Sequence, residues 1–299
     1  MQKLIESSGR KKCPKAGLRR GGFIMSILAD CHLHTSHSGD STAAMESQIL
    51  SGIDRGLKYM CFTDHFDPEF PYDKLPEVEP GTFELDLESY REEYLRMRDK
   101  YDGQITLYYG VELGLQPHLG GFLSSYVMDH PEFDFVIGSS HLCAGTDPYF
   151  PYFLEGRTEE EALALYFDES LENLESFSGF DSYGHLDFVA RCLPHRESFY
   201  TYSAFADRID PILQTLIAKG IALEVNTAPL TKGMRCFNPL PEILTRYREL
   251  GGELITIGSD AHVPERIAGF FNETAQILRE LGFKYYAVYE NRKPQMLPL

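Results

Sequence analysis

Short apolar runs alternate with longer amphipathic stretches along most of the chain. Runs rich in Val, Ile, Leu, Phe and Tyr at 27–33, 58–63, 105–112, 133–140, 181–186, 221–226, 253–258 and 283–288 have the length and composition of strands. The stretches between them, 46–56, 87–101, 119–129, 158–177, 204–219, 240–249 and 272–281, carry a helical pattern. In 204–219 the apolar residues Phe205, Ile209, Ile212, Leu213 and Leu216 share one helix face, and Gly220 is placed to end that helix. Strands that are apolar throughout are buried on both faces, as in a parallel sheet covered by helices. Seven or eight such units predict an α/β fold with a closed or nearly closed (β/α) barrel. No linker or internal repeat divides 25–299, so one domain is expected there. The long irregular stretches 66–85 and 142–157 follow strands and are expected as lids over the barrel mouth.

Composition narrows the function. Hydrophobic residues make up 43% and charged residues 24%, enough for a sizeable core. The 45 acids against 28 basic residues give a net charge of −17. That balance argues against nucleic acid as a partner and against an anionic membrane surface. No apolar window reaches the roughly 18 residues of a membrane span. An anionic substrate stays open, because bound cations reverse a local field. Residues 1–24 run the other way, with Lys3, Arg10, Lys11, Lys12, Lys15, Arg19 and Arg20 against Glu6. They are expected to be a disordered extension or a mis-called start before Met25. The 6 cysteines show no CxxC pair and read as reduced thiols of a cytoplasmic protein.

The candidate chemistry sits at the strand ends. His32 and His34, Asp64 and His65, Glu112, His141, His185 and Asp187, and Asp260 and His262 each close a predicted strand. Residues i and i+2 on a strand face the same way, so His32 converges with His34, and Asp260 with His262. In a parallel barrel these ends point at one mouth. Six of the ten histidines then crowd together with carboxylates. Imidazoles and carboxylates so arranged are ligands for divalent cations. The cluster contains no cysteine, which fits a hydrolytic rather than a structural site. His118, His130 and His195 fall in helix or loop contexts and read as surface residues. Cys31 and Cys61 alternate away from the mouth and read as core.

At these residues the chain resembles the polymerase and histidinol phosphatase (PHP) family. The matching motifs are His32-x-His34 with Asp40 following, Thr63-Asp64-His65, Gly110-x-Glu112, Ser140-His141, Gly184-His185-Leu186-Asp187 and Ser259-Asp260-x-His262. The flanking residues, with Glu224-Val225-Asn226-Thr227, look most like the single-domain histidinol-phosphatases of that family. The resemblance implies a distorted (β/α)7 barrel of the TIM-like kind, holding two to three divalent ions, with Zn, Mn and Fe all compatible. It implies His32, His34, Glu112 and Asp260 around one ion. A second would share Glu112 and add His141 and His185. A third would take Asp40, His65 and His262. Glu112 has two oxygens and the length to bridge two cations. Glu112, Asp260 and His262 are the catalytic candidates.

The implied reaction is hydrolysis of a small phosphate monoester by metal-activated hydroxide, with L-histidinol phosphate as the expected substrate. Arg191 is expected on the phosphate side. Where related phosphatases carry an Arg-Lys-Gly run, this chain has Thr231-Lys232-Gly233, so Lys232 or Arg235 is expected to substitute. His37 is a further substrate-side candidate. A cationic substrate would favour acids of the first lid, Asp67, Glu69 and Asp73. Rival readings are a phosphoesterase on nucleotides, disfavoured by the lack of a basic aromatic groove, and a phosphotyrosine phosphatase, which needs an open mouth. A non-catalytic metal-binding module would show eroded ligands, and none of the nine is missing. The oligomeric state is not legible.

Overall fold

The computed structural model describes residues 27–299. The extension expected at 1–24 lies outside the described residues. Seven parallel positions build the barrel, in chain order. β1 (Ala29–Asp30), α1 (Met45–Asp54), β2 (Tyr59–Phe62), β3 (His65–Phe66) and α2 (Leu87–Lys100) form the first part. β4 (Thr106–Gly114), α3 (Gly120–Asp129), β5 (Phe135–Ser139), α4 (Glu159–Ser176) and β6 (Ser182–Tyr183) follow. α5 (Ala206–Lys219), β7 (Ala222–Asn226), α6 (Ala228–Thr231), α7 (Pro241–Glu249), β8 (Ile255–Gly258) and α8 (Phe271–Glu280) complete it. The parallel order is β1-β2-β4-β5-β6-β7-β8, with β3 continuing the β2 position alongside β4. β4, the longest, pairs with its neighbours on both sides and carries Glu112 toward its C-terminal end.

The sheet closes between β1 and β8. Leu33 and Ala261 form a parallel bridge. Cys31 N donates to Ile257 O, Asp260 N to His32 O and His34 N to Ala261 O. Strands β5, β7 and β8 are wholly buried, as their unbroken apolar character requires. The expected (β/α)7 barrel is therefore present.

Helix ends follow local chemistry. Thr158 and Glu161 form a reciprocal cap at the start of α4. Gly220 ends α5 at φ 68°, a conformation costly for any residue with a Cβ. The eighth strand candidate is not a barrel strand. It is β9 (Tyr285–Glu290), which turns back on β10 (Lys293–Pro298) as an antiparallel hairpin. That hairpin closes the end opposite the mouth: Tyr286 OH accepts from Leu28 N, and Arg292 bonds Asp181 ahead of β6. Four thiols, Cys31, Cys61, Cys143 and Cys192, are free. Cys236 is disulfide-bonded, so the reading of six reduced thiols does not hold there. The two long loops pack on each other through Phe70, Leu75 and Leu142, with Phe83 and Phe150 alongside.

Candidate active site

The strand ends converge on Glu112, which is fully buried. Its two oxygens face different groups. Oε1 lies 3.1 Å from His141 Nε2 and 3.1 Å from His185 Nε2. Oε2 lies 3.1 Å from His32 Nε2, 3.4 Å from His34 Nε2 and 3.1 Å from His65 Nδ1. Asp260 Oδ1 approaches His34 Nε2 at 3.5 Å and His262 Nδ1 at 3.5 Å. Asp40 Oδ2 lies 3.0 Å from His262 Nε2 and 3.7 Å from His65 Nε2. The His34 ring stacks between those of His65 and His262, at centroid distances of 4.2 and 4.1 Å. All nine expected ligand residues thus fall in one continuous cluster at the mouth.

The donor set suits divalent cations. Four overlapping trios place their ligand atoms within 4.8 Å of one another: His32-His34-Glu112, His32-His185-Asp260, His65-Glu112-His141 and His34-His65-His262. Glu112 Oε2, His65 Nδ1, His185 Nδ1 and His262 Nε2 are buried without a hydrogen-bond partner, a cost that a cation on the ligand-side atoms would offset. Burial opposes ionisation of Glu112, yet His32, His141 and His65 hold its carboxyl well below the usual range. Asp260 is held down in the same sense by His32, His34 and Arg191 against its own burial. Burial, followed by the neighbouring His262 and His65, lowers the His34 pKa and keeps that ring neutral. His34 is thus in the form that binds metal, whereas His32, His65 and His141, held protonated by neighbouring carboxylates against their burial, must first release protons.

An outer layer orients these groups. Glu224 on β7 accepts from His32 Nδ1 at 2.5 Å and from the backbone N of His185 at 2.6 Å. Asp67 holds His141 Nδ1 at 2.7 Å. Asp64 accepts from Thr35 N, Thr35 Oγ1 and Ser38 Oγ, fixing the turn after His34. Asp187 takes bonds from Tyr200 OH, Asn238 Nδ2 and Leu240 N. Asp260 has φ 50°, a sparsely populated conformation for a residue with a side chain, at the point where it faces the cluster.

Beside the cluster lies a cavity of about 350 Å³, within the small-ligand range. Its lining includes Asp147, Tyr149, Phe188, Arg191, Lys232 and Arg266. Arg191 is buried, with Nε on Asn238 Oδ1 at 2.7 Å, Nη1 on Asp260 Oδ2 at 3.1 Å and Nη2 on Asn226 Oδ1 at 2.9 Å. Lys232 reaches the lining as expected.

Three substrate-side expectations fail. His37 turns away and pairs with Glu93 on α2 at 2.9 Å, because the Asp64-bound turn directs it outward. Arg235 is 81% exposed and pairs with Glu197, since the chain reverses at Gly233 after α6. Among the first-lid acids, Asp67 is committed to His141, Glu69 pairs with the exposed His118, and Asp73 is exposed. Asp147 and Arg266 were not singled out by the sequence, and Glu224 was named only within the Glu224-Val225-Asn226-Thr227 run, with no role given to it. The only hint was Glu224 two residues before Asn226, on the same strand face.

A parallel barrel with histidines and carboxylates gathered at its C-terminal mouth defines a metal-dependent hydrolase. More narrowly, the chain belongs to the PHP domain family, which matches residues 30–228. It is 32% identical over 258 residues to a probable histidinol-phosphatase of Clostridium acetobutylicum, covering 86% of this chain and 95% of that one. It is 28% identical to the histidinol-phosphatase of Lactococcus lactis subsp. lactis, covering 88% and 95%. The Lactococcus lactis histidinol phosphate phosphatase, solved with zinc, L-histidinol and phosphate, superposes with a TM-score of 0.79, covering 90% of this chain and 98% of that one.

Proposed function

We propose that the chain hydrolyses L-histidinol phosphate to L-histidinol and phosphate, a step of histidine biosynthesis, in the cytoplasm. The observation that carries this reading is Glu112 with its two oxygens turned to separate histidine groups, next to a small cavity that holds Arg191. The relatives' names point to the same substrate. Among the described residues no helix is long and apolar enough to cross a membrane.

We assign His32, His34, Glu112 and Asp260 to one divalent ion, Glu112, His141 and His185 to a second, and Asp40, His65 and His262 to a third. Bound there, such ions supply Lewis acidity toward water and phosphate oxygens. The chain's own residues do the rest. Glu224 and Asp67 fix the rings of His32 and His141 so that one nitrogen of each faces inward. Asn226, Asn238 and Asp260 hold the Arg191 guanidinium still, so its remaining N–H groups are pre-aimed at a phosphoryl oxygen. Asp147 on the second lid is the acid for the substrate's cationic end. Burial pushes its pKa up to about 6, and a cation beside it would keep it ionised. Phe70, Phe83, Tyr149 and Phe188 enclose the organic part and exclude water.

The test is phosphate release from L-histidinol phosphate, AMP, phosphotyrosine and phenyl phosphate, before and after chelation. The expected result is a strong preference for L-histidinol phosphate that disappears on metal removal. Full metal content with no turnover of any ester would overturn the reading.

A further inference from the structure

Three cations line the cavity, and they differ in how they are held. Arg191 spends three N–H groups on protein acceptors. Lys232 and Arg266 line the same cavity, yet neither side chain makes a hydrogen bond or ion pair among the described residues. Burial, and then the charges of Arg191 and Arg266, depress the Lys232 ammonium, although Asp260 works the other way. Like charges left unpaired at one pocket wall cost free energy that an incoming polyanion removes.

The backbone beneath these two residues is fixed. The turn at 264–266 is tied to α1, where Ser51 Oγ donates to Pro264 O at 2.6 Å and Arg55 Nη2 to Glu265 O at 2.6 Å. Gly269 N closes back on Arg266 O at 3.0 Å. The end of α6 packs against this turn: a Cβ at Gly269 would lie 2.6 Å from Thr231 Cγ2. Thr231 therefore contributes contact between two segments, and its hydroxyl is used locally on Ala228 O. The neighbours on each segment, Lys232 and Arg266, both face the cavity. Asp147 lines the same cavity from the second lid.

We infer that Arg266, with Lys232, forms the outer half of the phosphate clamp and is a specificity-determining residue for phosphate monoester dianions. This rests on the proposed phosphatase activity and deepens it. Arg266 adds planar N–H donors to phosphoryl oxygens that point away from Arg191. It acts on binding of the phosphoryl group in every monoester and leaves the organic part to the lid.

The test uses the full chain with its metal content measured. Inorganic phosphate binding is followed by calorimetry, and KM and kcat are measured for L-histidinol phosphate and phenyl phosphate, in the parent, R266A and R266K. R266A is expected to weaken phosphate binding about tenfold or more and to raise KM for both esters by a similar factor. Metal content should not change, and R266K should recover part of the loss. Phosphate affinity and both KM values within about twofold of the parent would overturn the inference. A loss confined to L-histidinol phosphate would also overturn it, by placing Arg266 on the organic side. If R266A loses metal, R266Q keeps the length without the charge and is judged by the same criteria. If the parent turns over no ester, the proposed function fails while calorimetry still decides the role of Arg266.

Discussion

Replacing Glu224 by Gln tests whether the outer layer sets the site's affinity for metal. Glu224 is buried and accepts from three donors: His32 Nδ1 on Oε1 at 2.5 Å, and His185 N at 2.6 Å and Asn226 Nδ2 at 3.2 Å on Oε2. An amide of the same shape offers one acceptor oxygen. If that oxygen stays on His185 N, the amide NH2 faces His32 Nδ1. His32 must then carry its proton on Nε2, the nitrogen that points at Glu112. A protonated Nε2 has no lone pair for a cation. If the amide turns over, His185 N and Asn226 Nδ2 both lose their acceptor inside the barrel. Either way at least one hydrogen bond to a charged group is lost, about 1.5–3 kcal/mol. At about 1.4 kcal/mol per decade, that is roughly a 10- to 100-fold fall in affinity, the range known for carboxylates behind metal-bound histidines. Competition with a chromogenic chelator measures affinity, elemental analysis gives content, and thermal unfolding checks the fold. A folded E224Q protein with affinity within twofold of the parent would refute the argument.

Other consequences are testable in the same preparations. Glu112→Gln should lose metal and activity together, and full retention of both would refute bridging by Glu112. Arg191→Lys should lower kcat/KM by about tenfold or more, because one ammonium cannot span Asn226, Asn238 and Asp260; steady-state kinetics decide it. Metal affinity should rise with pH. Against the effect of burial, carboxylate neighbours hold His32 and His141 well above their ordinary values and push His65 up to about 9, so protons must leave before a cation binds. Calorimetry in buffers of different ionisation enthalpy should show proton release on loading, and zero release would contradict this. His37→Ala and Arg235→Ala should leave KM for every ester unchanged, since both side chains pair with acids outside the cavity.

Much of the site was legible because strand alternation leaves little freedom. Once His32 and His34 are placed at a strand end, their common direction follows, and the same holds for Asp260 and His262. The misses have a different origin. His37 follows His34 by three residues, but its direction depends on a turn that Asp64 builds from another strand. Lys232 and Arg235 were equivalent in the sequence, and only the reversal at Gly233 separates them. Glu224 meets His32 across 192 residues, and no local pattern announces such a pair. The run 283–288 has a strand's composition, yet composition does not say whether the partner is β8 or the hairpin mate β10. Arg266 reaches the cavity only because the 264–269 turn is held by α1 and α6.

The same seam closes the barrel and builds the site. Asp260 N bonds His32 O, so the backbone bond that joins the last strand to the first also sets two of the proposed ligands side by side. Asp30, just before the histidines, is buried and accepts from Ser259 N at 2.9 Å and from Ala268 N at 3.0 Å. Burial raises its pKa, while those bonds pull it back toward the ionised form. It therefore ties β1 to both ends of the segment that carries Asp260, His262 and Arg266. Asp260 can sit at φ 50° because its backbone is fixed from both sides. Closure of the barrel thus positions His32, His34, Asp260 and His262 in one step. This explains why these residues converge although they stand at opposite ends of the chain, and it makes formation of the site inseparable from formation of the fold.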